Sequence, residues 1–484
     1  MKRENILVES EMNSVDDRVK TVPYAVYEHL GEYFLYDTTN CVFFNIDAPT
    51  KGFLELCLEN SFEDAAMKFL SESKWDSHVA MDVIKQVSLM RENGLFNRPN
   101  NEISKDTFEK LLDNRYATAW TKLELSLSEG CNLACKYCYC ATGRDMPSKG
   151  LMPEKIAKLA ITWLFAVSGK SKEVSITFFG GEPLLNKDVL KVSVDYSQYL
   201  AKLHGKKVFY SMTTNGTLID DEIIAYIKRY NFGLMVSLDG PKCLHDNQCP
   251  TRAGDGSYDL AVNGIKRLMS KRRHVTVRGT MIHPIPNVME LVKFYEDFGF
   301  TRMVIGKSTN PINPSGVDFT DDDFKSFYKQ EREEIIPWLI QKINEGEKPK
   351  YNPYGPIINN IENNNIRPKV SPFRCGACRG TTTVGADGAL YPCHRFVGME
   401  KWIIGNILSG PDIDKCKEFW RRYKEAISNK CNSCWMWTLC KGPCPWEIAN
   451  ADGSFRTPYN CVHTENYVKN GAFILRKKKK ILEK

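Results

Sequence analysis

The chain has 484 residues, more than one ordinary domain's worth, with 42% hydrophobic and 26% charged residues, the balance of folded globular domains. No apolar run reaches membrane-spanning length, and a net charge of +7 with no nucleic-acid motif gives no ground for DNA or RNA binding. The opening Met1-Lys-Arg-Glu lacks the apolar stretch of a signal peptide, so a reducing cytoplasmic location is expected, and 17 cysteines then point to metal ligation rather than disulfides.

Residues 1–20 are polar and read as frayed. Alternating segments at 25–27, 32–36 and 41–46 predict three short strands, with Gly31 and the cluster Asp37-Thr-Thr-Asn40 as turns. Apolar residues at helical spacing predict helices over 50–59, 62–71 and 77–92. Strands followed by small helices suggest a winged-helix-like domain over 1–98. It is either a cap on the next domain or a peptide-binding module whose edge strand, 32–36 or 41–46, receives an added strand. Cys41 and Cys57 read as small buried hydrophobes, and 97–114 reads as a polar connector.

Strands at 123–128, 174–179, 208–213, 234–238, 275–280 and 302–306 then alternate with helices near 153–167, 187–203, 220–230, 257–270 and 287–298. Six βα units predict an α/β fold with a parallel sheet, a partial (β/α)6 TIM barrel, since a complete barrel needs eight. The unusual residues gather at strand ends, where barrel active sites are built. The first strand runs into Cys131-x3-Cys135-x2-Cys138, with Tyr137 before the last cysteine. Three thiolates in one loop suit a [4Fe–4S] cubane with one iron left open; the bland alternatives are a zinc site or unrelated buried thiols. The next strands end in Gly180, Gly181 and Glu182, in Thr214 and Asn215, and in Ser237 and Asp239, and the fifth carries Arg278. Cys140, Cys243 and Cys249 fit no pattern and read as non-ligands.

A bridging region over 311–370, rich in Pro and Asn and suited to a lid, contains a helix from 321 to 344. Cysteines then become dense again: Cys375, Cys378, Cys393, Cys431, Cys434, Cys440, Cys444 and Cys461, in a stretch where little regular structure is expected. For Cys431 and Cys434 a zinc ribbon is the bland alternative. Cys416 is left over, and the basic end 471–484 reads as a solvated tail.

The three-cysteine loop with its flanking strand resembles the signature of the radical S-adenosylmethionine (radical SAM) superfamily, whose architecture is a partial barrel. The spacing from Cys378 to Cys461 resembles the SPASM extension of such enzymes. The resemblance covers roughly 116–465 and implies a radical SAM barrel over 116–310 and a SPASM domain over 371–470. It also implies three [4Fe–4S] clusters and S-adenosylmethionine. One cluster lies on Cys131, Cys135 and Cys138, one on Cys375, Cys378, Cys393 and Cys444, and one on Cys431, Cys434, Cys440 and Cys461.

By the same resemblance Tyr137, Gly180, Gly181, Glu182, Thr214, Asn215, Ser237 and Asp239 bind the cofactor. Glu182 takes its ammonium, Ser237 and Asp239 its ribose hydroxyls, and Arg252 or Arg278 its carboxylate, although either arginine can equally be an ordinary ion-pairing residue. SPASM enzymes mostly modify ribosomally made peptides, so a precursor peptide (RiPP) partner is implied, its leader bound by the N-terminal domain, together with an electron donor such as flavodoxin or ferredoxin. Residues 391–396 resemble thioether-forming maturases. The sulfatase-maturing branch typically carries an acidic base where this chain has His394, which is a candidate proton acceptor or a structural histidine. The expected activity is oxidoreductase chemistry that forms a peptide crosslink, a thioether from Cys to carbon. The alternatives are a carbon–carbon crosslink, oxidation, epimerisation, or a non-catalytic iron–sulfur peptide binder.

Overall fold

The computed structural model describes residues 24–96, 104–139, 150–271, 274–308, 317–364, 372–456 and 461–482. Residues 1–20 and Cys140 lie outside them. The chain divides into two compact units. The first takes 1–103, 360–370 and 427–442, and the second takes 104–359, 371–426 and 443–484.

In the first unit, alternation of apolar residues gives an antiparallel meander, β1 (Tyr24–His29), β2 (Glu32–Asp37) and β3 (Val42–Ile46), in the order β1-β2-β3. Leu30 and Gly31 both adopt positive φ and close the first hairpin in two residues, the geometry that matches strand twist. Helices Ala48–Glu59, Phe62–Glu72 and Ser77–Glu92 follow. Each is opened by an Asp or Ser side chain (Asp47, Ser61 and Asp76) that accepts a backbone N–H. Tyr24, Val26 and Leu35 on one sheet face pack with Phe53, Leu54, Phe69, Val83 and Val87 of the helices. Tyr27 and Tyr36 on the other face contact the ring of Trp435, and the Tyr36 and Thr438 hydroxyls hydrogen-bond at 2.6 Å. The sheet is thus covered on both faces, the second by a segment about 400 positions away in sequence.

Two expectations need correction here. Glu32–Asp37 is the central strand, paired on both sides, so only β1 and β3 offer edges. Cys41 is not in a strand; it turns the chain at φ +56°, with its side chain fully buried.

In the second unit, six parallel strands stand side by side in chain order: β4 (Lys122–Ser128), β5 (Glu173–Gly180), β6 (Lys207–Thr214), β7 (Gly233–Ser237), β8 (Thr276–Met281) and β9 (Arg302–Lys307). Helices Glu154–Val167, Lys187–His204, Asp221–Arg229, Lys242–Gln248, Tyr258–Lys271 and Val288–Phe298 connect them. One face of each strand is apolar and buried, for example Leu123, Leu125 and Leu127, then Ile176 and Phe178, then Tyr210 and Met212, then Val236, then Val277. Residues of the opposite parity include Glu124, Thr177, Ser211, Ser237 and Arg278. On the free edge of β4 the sheet continues through β10 (Thr383–Val384, parallel) and then β11 (Ala389–Tyr391), β12 (Gly405–Asn406) and β13 (Gly410–Pro411), all antiparallel, to ten strands.

The connector expected over 97–114 instead holds a helix, Lys105–Ala117, capped by Ser104. The cysteine-rich region is more regular than expected, with helices Ile413–Cys431 and Val462–Leu482. The predicted tail is helical through Leu482, and its first residues are not solvated. Ala472, Phe473, Ile474 and Leu475 are buried within the last helix, because apolar residues precede the lysines at helical spacing. The helix expected from 321 to 344 is interrupted by a π-helical turn at Glu331–Ile335. Among the described residues no helix is long and apolar enough to cross a membrane.

Candidate functional site

The site begins where β4 ends. Gly181 N–H donates to Ser128 O at 2.7 Å and Glu182 N–H to Gly130 O at 3.0 Å, so the end of β5 grips the start of the cysteine loop. Gly180 makes this approach possible. It adopts φ +134°, and a Cβ there would stand 2.2 Å from the Ser128 carbonyl oxygen. The thiols of Cys135 and Cys138 lie close enough to Cys131 to raise its pKa electrostatically, after the larger effect of burial.

Glu182 is fully buried. Its carboxylate accepts from Leu184 N at 2.9 Å, Thr214 Oγ1 at 2.8 Å and Asn215 N at 2.7 Å, and burial raises its pKa to about 7. About four acceptor positions exist on a carboxylate, and three protein donors fill three of them. Asn215 Nδ2 donates to Asn132 Oδ1 at 2.9 Å and approaches Cys131 Sγ at 3.7 Å, and Asn132 Nδ2 donates to Thr217 at 2.8 Å. Asn132 fills an unspecified position of the Cys131-x3-Cys135 spacing and Thr217 lies beyond the end of β6, so the sequence marks neither as a site residue.

Asp239, expected on ribose hydroxyls, is 1% exposed and turns inward. It accepts from Tyr137 OH at 2.8 Å, Thr280 N at 2.9 Å and Cys249 Sγ at 3.4 Å, while its own N–H donates to His245 Nδ1 at 3.1 Å. Ser237 remains partly exposed. Of the two arginines, Arg252 is committed to the cysteine loop, with Nε donating to Cys131 O at 2.6 Å. Arg278 lies opposite Ser237 in the sheet; burial lowers its pKa, and the nearby charge of Arg395 adds to this.

His394 stacks on Phe179 at 4.3 Å, and its Nδ1 meets Glu124 Oε2 at 3.1 Å. Glu124 also accepts from Thr383 Oγ1 at 2.8 Å. The pairing fixes Nδ1 and leaves Nε2 as the ring atom able to exchange a proton.

Four C-terminal cysteines converge within the second unit. Burial pushes all four thiols up, and behind it Cys444 raises Cys375, Cys444 and Cys375 raise Cys393, and Cys393 raises Cys378. Cys416, left over by every spacing, lies close enough to Cys378 to raise its thiol pKa, behind the larger effect of burial. The helix Lys105–Ala117 supports this group. Arg115 donates to the carbonyls of Cys375 and Ala377 at 3.1 Å each, and Tyr116 OH donates to Cys416 O at 3.3 Å. Cys431, Cys434 and Cys440 belong to the first unit, where Cys434 N–H donates to Cys431 O at 3.2 Å and Cys440 N–H to Met436 O at 2.8 Å; Cys461 belongs to the second. Among the described residues no three His, Cys, Asp or Glu side chains could hold a metal ion as they stand. A cubane is wider than an ion and is held by thiolates spread around it, and soft thiols at strand ends are the donor type it takes.

A parallel α/β sheet whose first strand runs into a loop of three thiols, braced by a Gly-Gly-Glu turn with its carboxylate buried, is the arrangement to compare with known proteins. Residues 125–298 match the family described as the radical SAM superfamily. The chain is 23% identical over 336 residues to a cysteine-type anaerobic sulfatase-maturating enzyme of Clostridium perfringens, covering 66% of this chain and 86% of that one. It is 25% identical over 389 residues to the radical SAM cyclopropyl synthase TigE of Paramaledivibacter caminithermalis, covering 74% and 75%. The solved structure titled native anSMEcpe with bound AdoMet shares the fold, with TM-score 0.61 and 21% identity over 74% of this chain and 99% of that one. Residues 125–298 carry a radical SAM domain, and the chain is an enzyme. That family implies a [4Fe–4S] cluster and S-adenosylmethionine.

Proposed function

We propose that this enzyme is a maturase that modifies a ribosomally made peptide or protein, and that its product is a crosslink, most specifically a Cys-to-carbon thioether. The observation that carries the reading is the convergence of Cys375, Cys378, Cys393 and Cys444 in the same unit as the three-cysteine loop, since a second thiol set beside a radical SAM barrel suits a reaction that must remove an electron from the substrate. The cluster on Cys131, Cys135 and Cys138, when bound, delivers one electron that cleaves S-adenosylmethionine and so supplies a 5′-deoxyadenosyl radical for hydrogen abstraction.

The chain's own residues do the rest. Glu182 and Asn215 hold the loop and offer acceptor and donor atoms to the methionine part of the cofactor. Arg278, poorly solvated and beside another guanidinium, favours an anionic partner and is the better candidate for the cofactor carboxylate. His394, held by Glu124, accepts the proton that oxidation of the substrate releases. Cys375, Cys378, Cys393 and Cys444 would hold a second cubane. The β3 edge of the first unit is the candidate site for a leader strand, and flavodoxin or ferredoxin is the candidate electron donor.

A second reading is oxidation without a crosslink, favoured by the relatives that are sulfatase-maturating enzymes. The test is to incubate the reduced, anaerobically loaded enzyme with S-adenosylmethionine and a Cys-containing peptide taken from a short open reading frame beside its gene. Formation of 5′-deoxyadenosine with loss of two hydrogens and one alkylatable thiol from the peptide is the expected result. No 5′-deoxyadenosine would sink the enzyme class, whereas an oxidised peptide with its thiol count unchanged would sink only the thioether.

A further inference from the structure

The helix Lys105–Ala117 ends beside the second group of thiols, and Arg115 in its last turn reaches them. The guanidinium grips the segment between Cys375 and Cys378, with Nη2 donating to Cys375 O and to Ala377 O at 3.1 Å each. It lies over the Phe373 ring at 4.4 Å and the Trp420 ring at 5.2 Å. Its Nε is buried and meets no acceptor among the described residues.

A cation drawn out of water is costly unless negative charge stands near it. Carboxylates do not supply that charge here. Glu109 and Asp113 of the same helix pair with Arg421 and Lys417, and among the described residues no carboxylate pairs with Arg115. Its charge does reach Cys375 and Cys378, where it opposes the upward push of burial on the thiol pKa. Neutral thiols would leave the guanidinium without a counter-charge, whereas thiolates on an iron–sulfur cluster provide one. Two more buried donors near these cysteines lack an acceptor among the described residues: Trp420 Nε1, on the helix that carries Cys416, and Trp446 Nε1, in the turn that follows Cys444. A sulfide-rich, anionic group supplies acceptors of the kind these donors need.

We propose that Arg115 is the counter-charge of the cluster assigned to Cys375, Cys378, Cys393 and Cys444, a positioning residue that raises the potential at which that cluster accepts an electron. The reduced cluster carries one more negative charge than the oxidised one. A guanidinium held beside it therefore favours the reduced state, and burial leaves the attraction little screened. A raised potential suits a cluster that removes an electron from the substrate. This inference rests on the proposed second cluster being present.

The experiment is a potentiometric titration of the full-length, anaerobically loaded protein with dithionite and redox mediators. It follows the electron paramagnetic signal of the reduced second cluster, identified as the signal that Cys378→Ala removes. Arg115→Gln keeps an amide donor for the two carbonyls but loses the charge, and should shift that midpoint to more negative potential. Arg115→Lys keeps the charge and should stay near wild type. An unchanged midpoint in Arg115→Gln would overturn the role and leave Arg115 a brace for the backbone alone. Should Arg115→Gln fail to load iron, Arg115→Lys decides: a midpoint near wild type bears the role out, and a shift to more negative potential with the charge retained overturns it. Loss of neither signal nor iron in Cys378→Ala would instead show that these cysteines hold no cluster, and the role would fall together with the reading it rests on.

Discussion

Replacing Gly180 by Ala should disable the site through one methyl group. The new Cβ would sit 2.2 Å from Ser128 O, 3.1 Å from Ser128 C and 3.2 Å from Ser128 N, all backbone atoms that no rotamer change can move. Relief to ordinary contact requires the two chains to part by about 1 Å. That separation breaks the 2.7 Å bond from Gly181 N–H to Ser128 O, worth about 1 kcal/mol net. At φ +134° an L side chain adds roughly 1–3 kcal/mol of backbone strain. A displacement of about 1 Å at the loop that carries Cys131 is expected to cost on the order of 100-fold in rate.

The assay is 5′-deoxyadenosine formation per loaded iron, read beside thermal unfolding. The control is Gly205→Ala. That glycine ends the helix Lys187–His204 at φ +60° with nothing within 4 Å of a built Cβ, so it should cost about 1 kcal/mol and leave the rate unchanged. A Gly180→Ala enzyme with wild-type rate and iron content would refute the argument that the close β4–β5 approach holds the loop.

The anaerobically reconstituted chain should bind roughly twelve irons, four per cubane, and Ala at Cys131, Cys135 and Cys138 together should remove about four and abolish 5′-deoxyadenosine formation; about four irons in the wild type, with zinc bound besides, would remove the auxiliary clusters. His394→Gln should lower product formation by about 100-fold or more while cleavage of S-adenosylmethionine continues uncoupled, measured as the ratio of 5′-deoxyadenosine to product; a ratio unchanged from wild type would leave His394 a structural residue. Glu331, buried and bonded by Tyr354 OH at 2.6 Å, has its pKa raised by burial from 4.5 to about 7. The native state therefore holds a proton the unfolded chain releases, so stability is full below about pH 4.5 and falls as pH rises through 7, by roughly 3 kcal/mol in total. Glu331→Gln should flatten that fall, seen as a smaller difference in melting temperature between acidic and alkaline buffer; an unaltered slope would show that Glu331 is not the group responsible.

The sequence by itself determined the elements and the chemistry carried by local spacing. Strand and helix periodicity depend on residues two to four positions apart, so the six parallel strands and the three N-terminal strands and helices were legible almost to their ends. The cysteine loop and the Gly-Gly-Glu turn were legible for the same reason. The short helix Lys105–Ala117 was hidden by its polar composition: among its described positions only Phe108 and Leu112 are fully buried, too few to set a period. Which distant residues would meet was decided only by tertiary structure. His394 finds Glu124 because β10 and β11 extend the sheet beyond β4. The N-terminal sheet has its second face covered by Trp435 and Thr438 rather than by neighbours in sequence. Cys249 and Cys416 looked like spare thiols because no spacing ties either to a motif. Each was placed by chain packing: Cys249 by the antiparallel register opposite Cys135, and Cys416 by the helix that carries it to Cys378. Registers and packing of this kind depend on burial and hydrogen bonding satisfied across the whole fold, and a linear pattern does not encode them.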